Sequence, residues 1–374
     1  MWWNIGSKVK GVSRLALVIV LVIILIGAGL AAYSFMSLPA QTPTTSKVTT
    51  LGKLTAFVWE DFTVPEVFNP LTEKYPTLTI ENSIFTSQPE MLAKLMGGFK
   101  ADVVSPCIDF LPRLIEQDML QPIDPSRLSN WNKLFKSLRD YPEIWRDGKL
   151  YMVPTAFGLQ AGVTYRKDKI PLIDKWIDIF NPAYKNRVLI LNDARIGIVI
   201  AAWALNYEDP WNLGSQDLQR IKEFYKEHRD VILKFYESDI EARELLASGD
   251  AWIIAGSGPA HSYWLKSEGI EAEFTLPEGK GIGWLCGLSI LKTSQNFDGA
   301  YLYIDYFISE EPQYYYAYEW LYGPTNEQAF KKLPPEKIAE SGIVGPEKLS
   351  EVLPLIDPPN LDEWLQVWEE IIAG

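Results

Sequence analysis

LTAFVWEDF, Leu54 to Phe62, is the stretch whose reading decides the fold. Its first six residues are apolar, β-branched or aromatic and read as a short buried strand, and the acidic pair Glu60-Asp61 ends it before a helical stretch from about Val64 to Tyr75. The pattern then repeats. LTIENSIF (78–85) reads as a strand before a helical MLAKLMGGF from Met91, and ADVVSPC (101–107) as a third strand before LPRLIEQD. Further along, VLILND (188–193) precedes a helix through Leu205, and AWIIAGS (251–257) precedes Gly258-Pro259. Strands alternating with helices predict an α/β fold. Open sheets of this class bind ligands beyond the carboxyl ends of their strands. That rule selects Trp59, Glu60, Asp61 and Phe62 after the first strand, Thr86 and Ser87 after the second, and Cys107, Asp109 and Phe110 after the third. In the later segment it selects Asp193 and Ser257. Aromatic faces attract cations by about 0.5–2 kcal/mol each, and carboxylates pair with ammonium groups, so this set suits a positively charged ligand.

At 374 residues the chain exceeds one ordinary hydrophobic core, which favours two lobes. Apolar residues make up 47% and charged residues 22%, the balance of a folded protein, and 14 Trp, 18 Tyr and 16 Phe leave aromatic surface to line a ligand site. A net charge of −13 without clustered Lys and Arg argues against a nucleic-acid partner. The acidic balance suits cationic or neutral ligands and is equally the ordinary state of a soluble protein.

The N-terminal residues predict the location. From Leu15 to Met36 the chain is apolar or small and uncharged, and about 20 such residues cross a bilayer as a helix. Lys8, Lys10 and Arg14 precede this run and no charge follows until Lys47, so the bulk of the chain is expected outside the cytoplasmic membrane. Residues 1–36 thus read as a signal or membrane anchor. Lys10-Gly11-Val12 resembles the pilin-like signal of archaeal surface binding proteins, which would leave the helix on the mature chain, whereas SLPAQ near Ala40 offers a site for release. Residues 37–53, mostly Ser, Thr and Pro, read as an extended stalk.

Cys107 and Cys286 are the only cysteines, and His228 and His261 the only histidines. Three readings of the cysteines stand together: small inert hydrophobes, a disulfide, or thiolate ligands to a soft metal such as copper. A cysteine hydrolase would need one of them beside His261 with an oxyanion site, and no local nucleophile motif supports that. No cofactor is expected.

Several longer segments resemble the spermidine/putrescine-binding proteins of polyamine ABC importers, in that family's order and spacing. They are LTAFVWEDF, ADVVSP with LPRLIEQDMLQPID, YMVPTAFGLQAGVTY, LILNDARIG, ELLASGDAWIIAGS, GIGWLCGLSI and YGPTN, spanning about Leu54 to Phe330. The resemblance implies a two-lobed, type II periplasmic-binding-protein-like fold with a hinge and an interlobe cleft. It places one lobe near 54–157 with 284–326 and the other near 158–283 with 327–374. It also implies a monomer that captures a small solute by hinge closure for an ABC permease and ATPase, with a surface receptor lacking a permease as the alternative. Residue by residue, Trp59 and Glu60 keep the family's Trp and Glu, Asp193 keeps a carboxylate that pairs with a polyamine nitrogen, and Trp284 and Tyr322 keep cleft aromatics. Phe62 replaces a Tyr, Ser257 an aromatic, and Cys107 and Asp109 a Ser and a Tyr. Ile196 and Cys286 stand where the family has a Glu and an Asp, so two anionic partners of a polyamine are gone. A polyamine or related amine, or a different solute in a rebuilt pocket, are the ligands this implies.

Overall fold

In the computed structural model, which describes residues 51–341 and 344–374, Gly52–Val58 forms β1, with Leu54, Ala56, Phe57 and Val58 fully buried. A strand buried this completely belongs inside a sheet covered on both faces. In chain order the other strands are β2 (Leu78–Ile84), β3 (Val103–Val104), β4 (Leu120–Gln121), β5 (Trp145–Arg146), β6 (Lys149–Leu150), β7 (Val153–Gln160) and β8 (Gly162–Arg166). They continue with β9 (Val188–Leu191), β10 (Ile232–Tyr236), β11 (Ile253–Ser257), β12 (Ala272–Thr275), β13 (Ile282–Leu291) and β14 (Leu353–Pro354). One sheet has the order β14-β13-β3-β1-β2, with β4 and β7 also paired to β13; the other runs β10-β9-β11-β8-β12, and β5-β6 is a separate ribbon. β1 is parallel to β2 and β3, and β9 to β10 and β11, as helix-linked strands require.

Two main cores follow from the two sheets. Leu54, Phe57, Val104, Leu288 and Phe307 belong to the first, and Val163, Ile190, Ile198, Ile253 and Trp364 to the second. β7 and β13 run between them. Their antiparallel register extends from Ile282 opposite Gln160 to Leu288 opposite Val153, and Ile282 packs in the second core while Leu285 and Leu288 pack in the first. Beyond Phe157, in the first core, the chain reaches Ala161 and Val163 in the second. Toward the C-terminus Leu349 packs in the first core, and Leu355, Trp364 and Trp368 in the second. Trp368 lies on Gly197: a Cβ there would come within 2.0 Å of the indole, so the absent side chain lets the C-terminal helix Leu361–Ala373 seat on the helix Ala194–Ala204.

The α/β elements fall close to where the alternation places them, with local differences. β1 begins at Gly52, so Gly52 and Lys53 pair with Leu78 and Thr79 and are not stalk. The helix in LPRLIEQD stops at Glu116, because Asp118 takes a left-handed backbone, φ 55°, that turns the chain toward β4. The predicted membrane segment 15–36, and the stalk up to residue 50, lie outside the described residues. Among the described residues no helix is long and apolar enough to cross a membrane.

Candidate ligand-binding site

A cavity of about 1400 Å³ opens between strand ends of the first sheet, strand ends of the second, and the crossing strands. Of the residues predicted for the site, Trp59, Cys107, Asp109 and Asp193 line it from strand ends, and Trp284 and Cys286 from β13, with Tyr322 beside them. Trp59 directly follows β1. Its backbone N–H donates to Ser105 Oγ at 3.0 Å, and its ring rests 4.5 Å from that of Phe85. Trp284 faces Gly158 across the β7–β13 pair, and a Cβ on Gly158 would meet the indole at 2.7 Å. The ring therefore lies over bare backbone, with Tyr322 packed against it in a T-shaped contact, ring centroids 5.3 Å apart.

Cys107 and Cys286 form a disulfide across a sequence separation of 179, which decides among the three readings of the cysteines. The bridge sits in the cavity wall, with Gln88 Nε2 3.7 Å from Cys107 Sγ. Neither sulfur is a thiolate, so neither is a metal ligand or a nucleophile. Among the described residues no group of three or more His, Cys, Asp or Glu side chains is placed to hold a metal ion.

Arg195 governs the charge at this site. Its guanidinium meets Asp109 at 2.8 Å, Asp193 at 3.2 Å and Asp357 at 3.2 Å, and Asp357 also pairs with Arg113 at 2.5 Å. Asp193 caps the helix Ala194–Ala204 as well, accepting from the backbone N–H groups of Arg195 and Ile196. Burial pushes the Asp109 carboxyl up from its ordinary value, and the neighbouring Arg195 opposes that rise. His261 Nε2 lies 3.4 Å from Asp239 Oδ1, and this contact holds the Asp239 carboxyl below its ordinary range.

Four predicted residues lie off the cavity wall. Phe62 points into the first core against Phe307 and Tyr316. Ser257 is buried with its hydroxyl 3.0 Å from that of Thr164, and Glu60 is exposed at the start of a short 3₁₀ turn. Asp61 sits behind the aromatic wall: its carbonyl accepts from the Tyr316 hydroxyl at 2.9 Å, and burial pushes its carboxyl up to about 7. Ile196 is fully buried in the second core, so no side chain from that position replaces the missing carboxylate. Arg195 and Asp357 went unselected by the strand-end rule. Arg195 is two residues beyond Asp193, within reach of a slightly wider window, whereas Asp357 carries no local signal.

Two α/β halves around an aromatic cleft in which Asp109, Asp193 and Asp357 are held by arginines are the build of a solute-binding protein. Residues 66–343 match the family described as bacterial extracellular solute-binding protein, and the chain belongs to that family. The chain is 26% identical over 296 residues to the spermidine/putrescine-binding periplasmic protein of Salmonella typhimurium, covering 77% of this chain and 82% of that protein. It is 25% identical over 341 residues to the putrescine/agmatine-binding protein of Pseudomonas aeruginosa, covering 84% and 90%. Among solved structures, the spermidine/putrescine ABC transporter substrate-binding protein of Streptococcus pneumoniae superposes with a TM-score of 0.70 at 19% identity, over 86% of this chain and 98% of that one. The two-lobed periplasmic-binding-protein-like fold expected from the resemblance is the fold of this chain.

Proposed function

We propose that this chain is the extracytoplasmic solute-binding subunit of an ABC importer and captures a small amine, of the polyamine kind or related to it, by closing its cleft. The observation that carries this reading is the cavity of about 1400 Å³ between the two cores, walled by Trp59, Trp284 and Tyr322. Aromatic faces bind ammonium groups without needing a fixed register, and the names of the relatives point to the same ligand class. The crossing strands β7 and β13 are the hinge in this reading, with lobes near 54–157 and 284–326, and near 158–283 and 327–374, although Leu349 of the latter packs in the first core. A hinge absorbs its change over a few backbone dihedrals while both cores stay packed. Residues 1–36 are the signal or membrane anchor, retained on the chain or removed by cleavage, the closed monomer is what the permease recognises, and the ATPase supplies the energy.

The test is calorimetric titration of the full chain, in detergent and stripped of carried-over ligand, with putrescine, spermidine and monoamines of similar length, paired with small-angle scattering. Micromolar or tighter binding of an amine, with a decrease in radius of gyration, is expected. A folded protein that binds none of them would end the amine reading. Reconstitution with the permease and ATPase chains separates an importer from a surface receptor, since only the importer accumulates solute in vesicles.

A further inference from the structure

The charged side chains buried at the cleft are engaged with one another. Asp109, Asp193 and Asp357 share the guanidinium of Arg195, and Arg113 completes the group by its contact with Asp357. The Arg195 side chain is 16% exposed and that of Asp109 4%, so this pair is held with little water around it, while Asp193 and Arg113 reach solvent. Asp239, whose side chain is 64% exposed, faces the buried His261. Glu319 and Glu369, the remaining charged side chains on the wall among the described residues, are exposed to solvent at its edge. Between these groups the Cys107–Cys286 bridge, Ile108 and Leu285 supply an uncharged stretch of wall.

A solute entering this cleft therefore finds aromatic faces free and the carboxylates of Asp109, Asp193 and Asp357 occupied, with Asp239, Glu319 and Glu369 left in contact with solvent. One ammonium group can lie against Trp59, Trp284 or Tyr322. A second would have to displace a guanidinium from its carboxylates, be buried without a counter-ion, which is strongly unfavourable, or stay in water beside Asp239, Glu319 or Glu369, where an ion pair is worth little. We propose that the site takes amines carrying a single positive charge and discriminates against diamines and polyamines. This inference rests on the amine reading above and narrows it.

Three four-carbon probes differing only in charge test it on the full chain: butane-1,4-diol, 4-aminobutan-1-ol and putrescine. The amino alcohol is expected to bind at least about tenfold more tightly than either of the others, about the factor that 1.4 kcal/mol represents. Putrescine binding as tightly as the amino alcohol, or more so, overturns the inference and leaves the amine reading intact. Failure of all three, with spermidine also silent, overturns both. A second measurement compares Cys107→Ser/Cys286→Asp with Cys107→Ser/Cys286→Ser, both lacking the bridge. The new carboxylate has no guanidinium partner, so the preference for the amino alcohol over putrescine is expected to shrink about tenfold relative to the double serine variant. An unchanged preference between the two variants counts against charge occupancy as the cause. If the aspartate variant does not fold, the ranking of the three probes on the unmodified chain decides alone.

Discussion

Arg195 Nη1 donates to Asp109 Oδ2 at 2.8 Å, joining the first turn of a helix on the second sheet to the segment that follows β3 in the first. The contact spans the cleft. Because the same guanidinium also holds Asp193 and Asp357, its removal leaves three carboxylates facing one another with only Arg113 nearby. Arg195→Gln is expected to lower stability by about 3–5 kcal/mol, the usual loss when one member of a buried ion pair is removed. Urea denaturation at neutral pH measures it. A loss below about 1 kcal/mol would mean the carboxylates are solvated as surface pairs are.

Asp61 gives the protein a pH dependence of predictable sign. Its folded-state value of about 7 lies above the ~3.9 of an exposed aspartate, so the folded chain holds this proton more tightly than the unfolded one. The resulting stabilisation is full below about pH 3.9 and is lost as pH rises through about 7, for a total on the order of 4 kcal/mol. Asp61→Asn should flatten this slope. Urea midpoints at pH 4, 6 and 8 provide the comparison, and a variant that loses stability as steeply as the parent assigns the titration to another group.

The Cys107–Cys286 bridge closes a loop with a sequence separation of 179. Restricting so long a loop in the unfolded chain is worth up to about 5 kcal/mol on the chain-entropy account. The double serine variant, or the parent under dithiothreitol, should unfold at correspondingly lower urea while keeping its α/β circular dichroism at zero denaturant. An unchanged midpoint would show that the reduced chain is already ordered around this loop before folding.

Trp284 depends on the bare backbone of Gly158. Gly158→Ala would place a Cβ 2.7 Å from the indole and push the ring toward the cavity or off Tyr322. Trp284→Ala and Trp59→Ala should weaken amine binding at least about tenfold, consistent with cation–π contributions of about 0.5–2 kcal/mol plus lost apolar contact, while the unliganded fold persists. Gly158→Ala is expected to reduce affinity less than Trp284→Ala. Normal affinity in both tryptophan variants would remove these rings from the binding surface.

The amino-acid pattern by itself determined the α/β class and which chain segments reach the cleft. Alternation of short apolar runs with helical stretches is a local property, and the carboxyl end of a parallel strand carries its following residues to the binding edge, which is how Trp59, Cys107, Asp109 and Asp193 were found. The same rule identifies an end and not a direction. Phe62 and Ser257 leave strand ends as predicted, yet packing turns one into the first core and buries the other against Thr164. Tertiary structure alone decided the partners. Cys107 meets Cys286 across 179 residues, and Arg195 gathers Asp109 and Asp357 from positions 86 and 162 residues away. Such pairs form because two sheets and a C-terminal segment are packed around one cavity. No local preference of the chain encodes which carboxylate will face which guanidinium once the water between them is gone.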